Sequence, residues 1–265
     1  MSTTLPDRFS LESNIVLVTG AASGLGLAIA EAMLEAGAHV LMTDANVELL
    51  DGEVSRLRAI HPAVESAPLD VTDAAAVDRV MDSLAERMGG VDCVFANAGI
   101  SAGRGFVVEA GQLENVDLPA WDRVIRINLD GVLHTLRAAV RHMKPRRKGR
   151  VIVTSSIAGI RSESLSGYAY VSSKAAVNNL VRQAAVELAP FNVLINAIAP
   201  GPFATGINGG RLRLPESQER MRTYIPLGRV ANPEEIKGLA LLLASRASSY
   251  MTGAVIPVDG GASAR

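Results

Sequence analysis

Residues 15–26 read Ile15-Val16-Leu17-Val18-Thr19-Gly20-Ala21-Ala22-Ser23-Gly24-Leu25-Gly26. A continuous apolar run meets a glycine-rich turn, and the turn meets a helical pattern. An apolar run without in/out alternation is the mark of a strand covered on both faces. Past the turn, Leu25, Ile29, Ala32, Met33 and Ala36 fall on one stripe of a helix expected over residues 24–36. Glycines at 20, 24 and 26 permit a tight turn. They also let backbone N–H groups approach an anion at the helix N-terminus, where the dipole favours negative charge. The spacing departs from GxGxxG, and a plain glycine-rich turn produces it too. Its place between a strand and a helix turns the reading towards a nucleotide pyrophosphate.

The same alternation continues outward. Apolar runs of strand length recur at residues 40–42, 91–95, 151–153, 193–198 and 255–258, with a weaker one at 64–69. Between them, residues 119–143 carry Trp121, Val124, Ile125, Leu129, Val132, Leu133 and Leu136 at helical spacing. Residues 172–189 place Val177, Leu180, Val181, Ala184 and Leu188 on one stripe, with Ala175, Ala176 and Val186 to the side. A helix apolar on two sides is buried twice, which points to a subunit interface. Strand–helix alternation throughout predicts an α/β fold with a parallel sheet and helices on both faces. No repeat, low-complexity tract or linker divides the chain, so one domain is expected over residues 1–265. The one long irregular stretch, 200–224, has the length of a lid or binding loop.

Composition narrows the function classes. Lys and Arg number 26 against 27 Asp and Glu, a formal net charge of -1, which is no footprint for nucleic acid or acidic membranes. The basic run at 141–150 reads as a solvated helix end. One cysteine, Cys93, excludes an internal disulfide and fits a reducing compartment; mid-strand, it reads as a small buried hydrophobe. Residues 1–13 lack the apolar core of a signal peptide, and no apolar run approaches the roughly 18 residues that span a bilayer. A soluble, cytoplasmic protein is expected. His39, His61, His134 and His142 show no ligand spacing and read as ordinary surface or helix residues, so no metal is expected.

Three groups carry chemistry. Asp44 ends the second apolar run, 18 residues beyond Gly26, where a carboxylate reaches adenosine ribose hydroxyls. It would repel a 2′-phosphate, and neither Ala22 nor Ser23 supplies a compensating cation, so NAD is favoured over NADP. An Asp that merely opens a turn before Asn46 is the competing reading. Tyr170 and Lys174 stand at i and i+4 on one helix face. A tyrosine base at neutral pH needs its pKa lowered by about three units, or ~4 kcal/mol. An ammonium about 5 Å away supplies roughly 3 kcal/mol at an effective dielectric of about 20. Ser155 and Ser156 end the fifth strand, at the sheet edge where open parallel sheets bind ligands.

Thr19-Gly20-x-x-x-Gly24-x-Gly26, Asn97-Ala98-Gly99, Asn128, Ser156, Tyr170-x-x-x-Lys174 and Pro200-Gly201 together resemble the short-chain dehydrogenases/reductases in order and spacing. The resemblance runs from about Ser10 to the Val258-Asp259-Gly260-Gly261 tail. It implies a single doubly wound Rossmann-type domain with a seven-stranded, mostly parallel sheet. The cofactor half would span about 10–150, the catalytic and substrate half about 151–265, and the lid about 202–224. It also implies Tyr170 as acid/base, Lys174 as the group that lowers its pKa and holds the nicotinamide ribose, and Ser156 as the donor that polarises the substrate oxygen. Asn128 would anchor a water-linked proton path. Gly20, Ser23, Gly24, Leu25, Gly26 and Asp44, with Asp70-Val71, Asn97 to Gly99, Pro200, Gly201, Phe203 and Thr205, would hold NAD. A homotetramer built on the 119–143 and 172–189 helices is implied as well.

Small departures accompany the match. Ala96 replaces a more usual second Asn, the segment from Ser156 to Tyr170 is one residue longer than usual, and 100–118 is extended beside the substrate pocket. Tyr168 has Ser172 four positions on and so lacks the cation. The expected activity is hydride transfer between NAD and a secondary alcohol such as a polyol, sugar, hydroxy acid or cyclic alcohol. Alternatives are an NADPH-dependent 3-oxoacyl-type carbonyl reductase and a non-catalytic dinucleotide-binding protein. A nucleotide-sugar epimerase fits less well, since only 65 residues follow Pro200. The pocket would draw on 101–106, 157–166 and the lid. Arg104, Arg161, Arg211 and Arg213 fall there, with solvated loop arginines the simpler explanation for them.

Overall fold

A short helix, α1 (Leu5–Phe9), precedes β1 (Ile15–Thr19), α2 (Gly24–Glu35), β2 (His39–Asp44), α3 (Val47–Arg58), β3 (Val64–Pro68), α4 (Ala74–Met88) and β4 (Cys93–Ala96). The chain continues through α5 (Leu118–Ile125), α6 (Gly131–Arg146), β5 (Gly149–Thr154), α7 (Tyr168–Leu188), β6 (Val193–Pro200), α8 (Pro215–Arg222), α9 (Lys237–Ala244) and β7 (Val255–Val258). The structure, a computed structural model, describes residues 4–264. Residues 1–3 and 265, included in the one-domain and N-terminal expectations, lie outside the described residues.

The seven strands form one sheet in the order β3-β2-β1-β4-β5-β6-β7. Every neighbouring pair is parallel, so the "mostly parallel" expectation tightens to all-parallel among the described residues. Strand order reverses between β1 and β4. The loops leaving those two strands diverge there and open a crevice at the C-terminal edge of the sheet.

The unbroken apolar runs are explained by two cores. Val16, Val18, Val40, Met42, Phe95 and Ile152 face Ile29 and Met33 of α2 and Leu243 of α9. The alternate residues Leu17, Leu41, Val94, Val151 and Val153 face Met81 and Leu84 of α4, Val132 and Leu136 of α6, and Val177 and Val181 of α7. Each such side chain contributes about 1.5–3 kcal/mol on burial. The few polar residues on these strands bond inside the sheet, as Thr19 and Thr43 do to the Phe95 and Val18 carbonyls.

Local chemistry sets the helix ends. Asp73 starts α4, its Oδ1 accepting from the Ala75 and Ala76 amides at 2.9 and 3.0 Å, a cap of about 1 kcal/mol. Gly89 ends it at φ +76°. The start of α2 is different: Ser23 makes no side-chain cap, which leaves the first-turn amides without a side-chain acceptor.

Several expectations change. The helix expected over 119–143 breaks into α5, a π-helical turn at Arg126–Asp130 and α6. The turn lets fully buried Asn128 reach the backbone of Ile100, and wide turns of this kind collect at functional sites. Residues 200–224 are not irregular. They hold a 3-10 segment at Ile207–Arg213 and α8, which Pro215 opens at its first turn. The long helix α7 begins at Tyr168, four residues before the expected 172. Its Ala175, Ala176 and Val186 face outward in the single chain. His39 lies inside β2 and pairs with Glu65 at 3.0 Å, not on a free surface or helix.

Candidate active site

A cleft of about 1050 Å³ follows the C-terminal edge of the sheet across the reversal point. The residues expected to hold the cofactor all line it: Gly20, Ser23, Gly24, Leu25, Gly26, Asp44, Asp70, Val71, Asn97, Ala98, Gly99, Tyr170, Lys174, Pro200, Gly201, Phe203 and Thr205. Two expected catalytic residues do not line it. Asn128 is buried behind the wall, and Ser156 sits one residue beyond the lining Ser155.

The glycine-rich turn is shaped as a cradle. Gly20 and Gly24 adopt φ of +64° and +58°. A Cβ at Gly20 would stand 2.8 Å from the Ala98 Cα, and one at Gly26 would be 2.5 Å from Asn97 Nδ2. Asn97 locks the floor: Nδ2 donates to the Thr19 and Gly20 carbonyls at 3.0 and 3.1 Å, and Oδ1 accepts from the Thr154 hydroxyl at 3.0 Å. Uncapped amides at the start of α2, a backbone with no side chains in the way, and the cleft volume together fit a dinucleotide. Asp44 accepts from the Ala22 amide through Oδ2 at 3.1 Å and from the Asn46 amide through Oδ1 at 2.9 Å. So it serves the turn reading and the ligand-facing reading at once.

The other end of the cleft gathers the remaining groups. Lys174 Nζ lies 5.8 Å from the Tyr170 ring centroid and donates to the Thr154 carbonyl at 2.8 Å. The Ser156 hydroxyl stands near enough to the Tyr170 phenol to favour its ionised form; its own bonds run from the Ala158 amide at 3.1 Å and to the Pro200 carbonyl at 3.5 Å. Ser155 instead donates to Asn178 Oδ1 at 2.5 Å. Asn128 accepts from the Ile100 amide and donates to the Ile100 carbonyl, both at 2.8 Å, and donates to Ser173 Oγ at 3.3 Å. Asn128 Oδ1 and Lys174 Nζ crowd one point, 3.3 and 3.5 Å from where a Cβ at Gly99 would stand.

One electrostatic expectation is corrected. Burial pushes the Tyr170 phenol above its ordinary value, while the hydrogen bond to Ser156 works downward. Burial also pulls the Lys174 ammonium down to about 8. In the protein by itself, desolvation outweighs the pairing that the i, i+4 spacing implies.

That cost is measurable. Unfolded Lys174 titrates near 10.5 and folded Lys174 near 8, so between these values the unfolded chain binds more protons and stability rises with pH. Above about 10 the raised Tyr170 opposes the rise. Below pH 8 the folded protein carries the full penalty of a buried charge. Lys174→Met should therefore stabilise the cofactor-free protein at pH 7 by about 2 kcal/mol. That is the pKa difference less the lost bond to Thr154. Urea unfolding at pH 7 and 9.5 checks it: the gain shrinks at the higher pH, and an equal gain at both would refute the buried charge.

Sequence reasoning missed several supporting residues. Thr154, Ser173 and Asn178 hold the named groups, but isolated polar residues inside apolar runs carry no local signal. Arg123 and Arg126, on α5 and the π-turn, line the cleft. None of Arg104, Arg161, Arg211 and Arg213 does; Arg161 pairs with Glu163 at 3.8 Å. Cys93 is buried, and burial pushes its thiol far up. No group of three or more His, Cys, Asp or Glu among the described residues is placed to hold a metal. No helix among them is long and apolar enough to cross a membrane.

A doubly wound sheet with a dinucleotide-shaped cleft, ending on a Tyr–Ser–Lys cluster, defines a class of oxidoreductase. Residues 20–263 match the family model described as Enoyl-(Acyl carrier protein) reductase. The rhamnolipids biosynthesis 3-oxoacyl-(acyl-carrier-protein) reductase of Pseudomonas aeruginosa is 35% identical, over 96% of this chain and 97% of its own. A short-chain type dehydrogenase/reductase from Mycobacterium marinum superposes with a TM-score of 0.89 at 33% identity, covering 98% of this chain and 99% of that one. A gluconate 5-dehydrogenase from Burkholderia cenocepacia, in complex with NADP and tartrate, superposes with a TM-score of 0.90 at 30% identity, covering 99% and 100%. The chain belongs to the short-chain dehydrogenases/reductases, oxidoreductases that interconvert hydroxyl and carbonyl groups with a nicotinamide dinucleotide.

Proposed function

We propose that the protein is an NAD-dependent dehydrogenase of secondary alcohols. One observation carries this reading: Tyr170, with Lys174 Nζ 5.8 Å from its ring and Ser156 near its hydroxyl, lines the same cleft as Asp44. When bound, the nicotinamide supplies the hydride acceptor or donor. Ser156 Oγ donates to the substrate oxygen and holds it against Tyr170. Tyr170 Oη takes the proton from the hydroxyl in oxidation and returns it in reduction. Lys174 Nζ, fixed by the Thr154 carbonyl, favours the ionised phenol once a second positive charge stands nearby. Asn128, fastened to Ile100 and Ser173, keeps the wall behind them in place and anchors a proton path. Residues 10–150 hold the cofactor, 151–265 the catalytic groups, and 202–224 form the lid. A homotetramer on α5, α6 and α7 is part of the same reading, supported by the outward apolar side of α7. The buried single cysteine suits a cytoplasmic setting.

Asp44 supports NAD. Its charge next to a 2′-phosphate costs several kcal/mol before solvent screening. The relative crystallised with NADP makes this the point to test. Initial rates with NAD+ and NADP+ over polyols, hydroxy acids and cyclic alcohols test both halves of the reading. Asp44→Asn keeps an acceptor for the Ala22 amide and removes the charge. It should raise kcat/KM for NADP+ by about 10- to 100-fold and lower that for NAD+. A parent enzyme that already prefers NADPH, with a 3-oxoacyl thioester as substrate, would shift the reading to the biosynthetic reductase. Tight cofactor binding without turnover of any compound would leave a binding protein.

A further inference from the structure

Buried Asn178, two helical turns beyond Tyr170 on α7, uses both ends of its amide. Its Oδ1 accepts from the Ser155 hydroxyl at 2.5 Å, and its Nδ2 donates to the Gly159 carbonyl at 2.9 Å. These partners flank Ser156 on the turn at Ile157–Gly159. The turn lies hard on the helix: a Cβ at Gly159 would come 2.5 Å from the Lys174 carbonyl carbon. On the other side, the Ser155 amide donates to the Ile198 carbonyl of β6 at 2.8 Å. The bonds to Asn178 thus bind the strand end bearing Ser156 to the helix bearing Tyr170 and Lys174.

We propose that Asn178 is a positioning residue, whose amide clamps the Ser155 to Gly159 turn to α7 and thereby sets Ser156 Oγ against the Tyr170 hydroxyl. The inference rests on the reading of Ser156 and Tyr170 given above. Ser156 has little else to hold it: it accepts from the Ala158 amide at 3.1 Å and reaches the Pro200 carbonyl only at 3.5 Å. Without the clamp, the turn keeps its packing and the 3.4 Å contact from Ser155 Oγ to the Lys174 carbonyl, but loses the two shortest bonds that fix the serine relative to the phenol.

The test is a tyrosinate absorbance titration of the cofactor-free protein, with Tyr170→Phe subtracted to isolate the Tyr170 transition. Ser156→Ala and Asn178→Leu should each move that transition up by about one pH unit, the loss of one hydrogen bond to the ionised form. The double variant should move it no further than Ser156→Ala alone. NADH affinity should stay within twofold in each. With the alcohol found in the cofactor screen, Asn178→Leu should lower kcat about tenfold and leave KM for NAD+ unchanged. A purely structural asparagine would lower the melting temperature and leave the transition in place. An unmoved transition in Asn178→Leu, where Ser156→Ala moves it, overturns the proposal alone. An unmoved transition in Ser156→Ala overturns the reading beneath it as well. Should the leucine variant fail to fold, Asn178→Asp keeps the acceptor for Ser155 and loses the donor to Gly159. It is then read by the same titration, with a smaller upward shift expected and none overturning the proposal.

Discussion

Tyr170→Phe should lower kcat about 10³-fold while leaving the Kd for NADH within twofold. The substitution removes one oxygen from a half-buried side chain that lines the cleft and keeps the ring, so packing on α7 is preserved. What is lost, on the proposed mechanism, is the group that exchanges a proton with the substrate oxygen, and such groups contribute roughly 10²- to 10⁴-fold. Ser156 and Lys174 remain to bind and orient, which accounts for residual turnover. In the parent, burial raises the Tyr170 phenol in the protein alone. Oxidation measured as kcat/KM should therefore climb about tenfold per pH unit on the acid side and level only when the phenol ionises in the complex. The phenylalanine variant should lose that slope. Steady-state rates from pH 6 to 10, with NADH binding by calorimetry, decide the matter: a variant with parental kcat excludes Tyr170 as the proton carrier.

Gly26→Ala should cost both stability and cofactor affinity. The added methyl would overlap the Gly20 carbonyl oxygen and press on Asn97 Nδ2, the atom that ties the turn to β4. Relief requires the turn to open or Asn97 to withdraw, and overpacking of this kind costs about 1–3 kcal/mol. Each hydrogen bond lost from Asn97 adds about 1 kcal/mol. For a chain of this size, the melting temperature should drop on the order of 5–10 °C. NADH affinity should weaken at least about tenfold if, as proposed, the same turn presents the amides that meet the pyrophosphate. Thermal unfolding with and without NADH separates the two effects. A variant that melts with the parent shows that the turn tolerates a side chain there.

How much of this was legible beforehand varies from residue to residue. The strand at 255–258 and the helix at 24–36 were readable because an apolar run and an apolar stripe are local patterns. The π-turn at Arg126–Asp130 was not, since Trp121, Val124, Leu129 and Val132 keep helical spacing straight through it. The break answers to Ile100, a residue remote in sequence, which Asn128 bridges. α8 was hidden as well, having no buried residue and hence no apolar stripe. Ser155 and Ser156 are indistinguishable in a sequence. One turns to Asn178 and the other to Tyr170 only because β5, β6 and α7 meet around them.

Local sequence patterns sufficed for the layered α/β plan, the place of the glycine turn, Asp44 at a strand end and the phenol–ammonium pair. All of these rest on neighbours within one or two turns of chain. It took the folded chain to bring seventeen separate residues to one cleft and to set Asn178 against the serine turn. The same holds for the titration of Tyr170 and Lys174, governed by burial more than by their spacing. Desolvation and long-range contacts depend on what the whole chain packs around a group, and no stretch of sequence contains that.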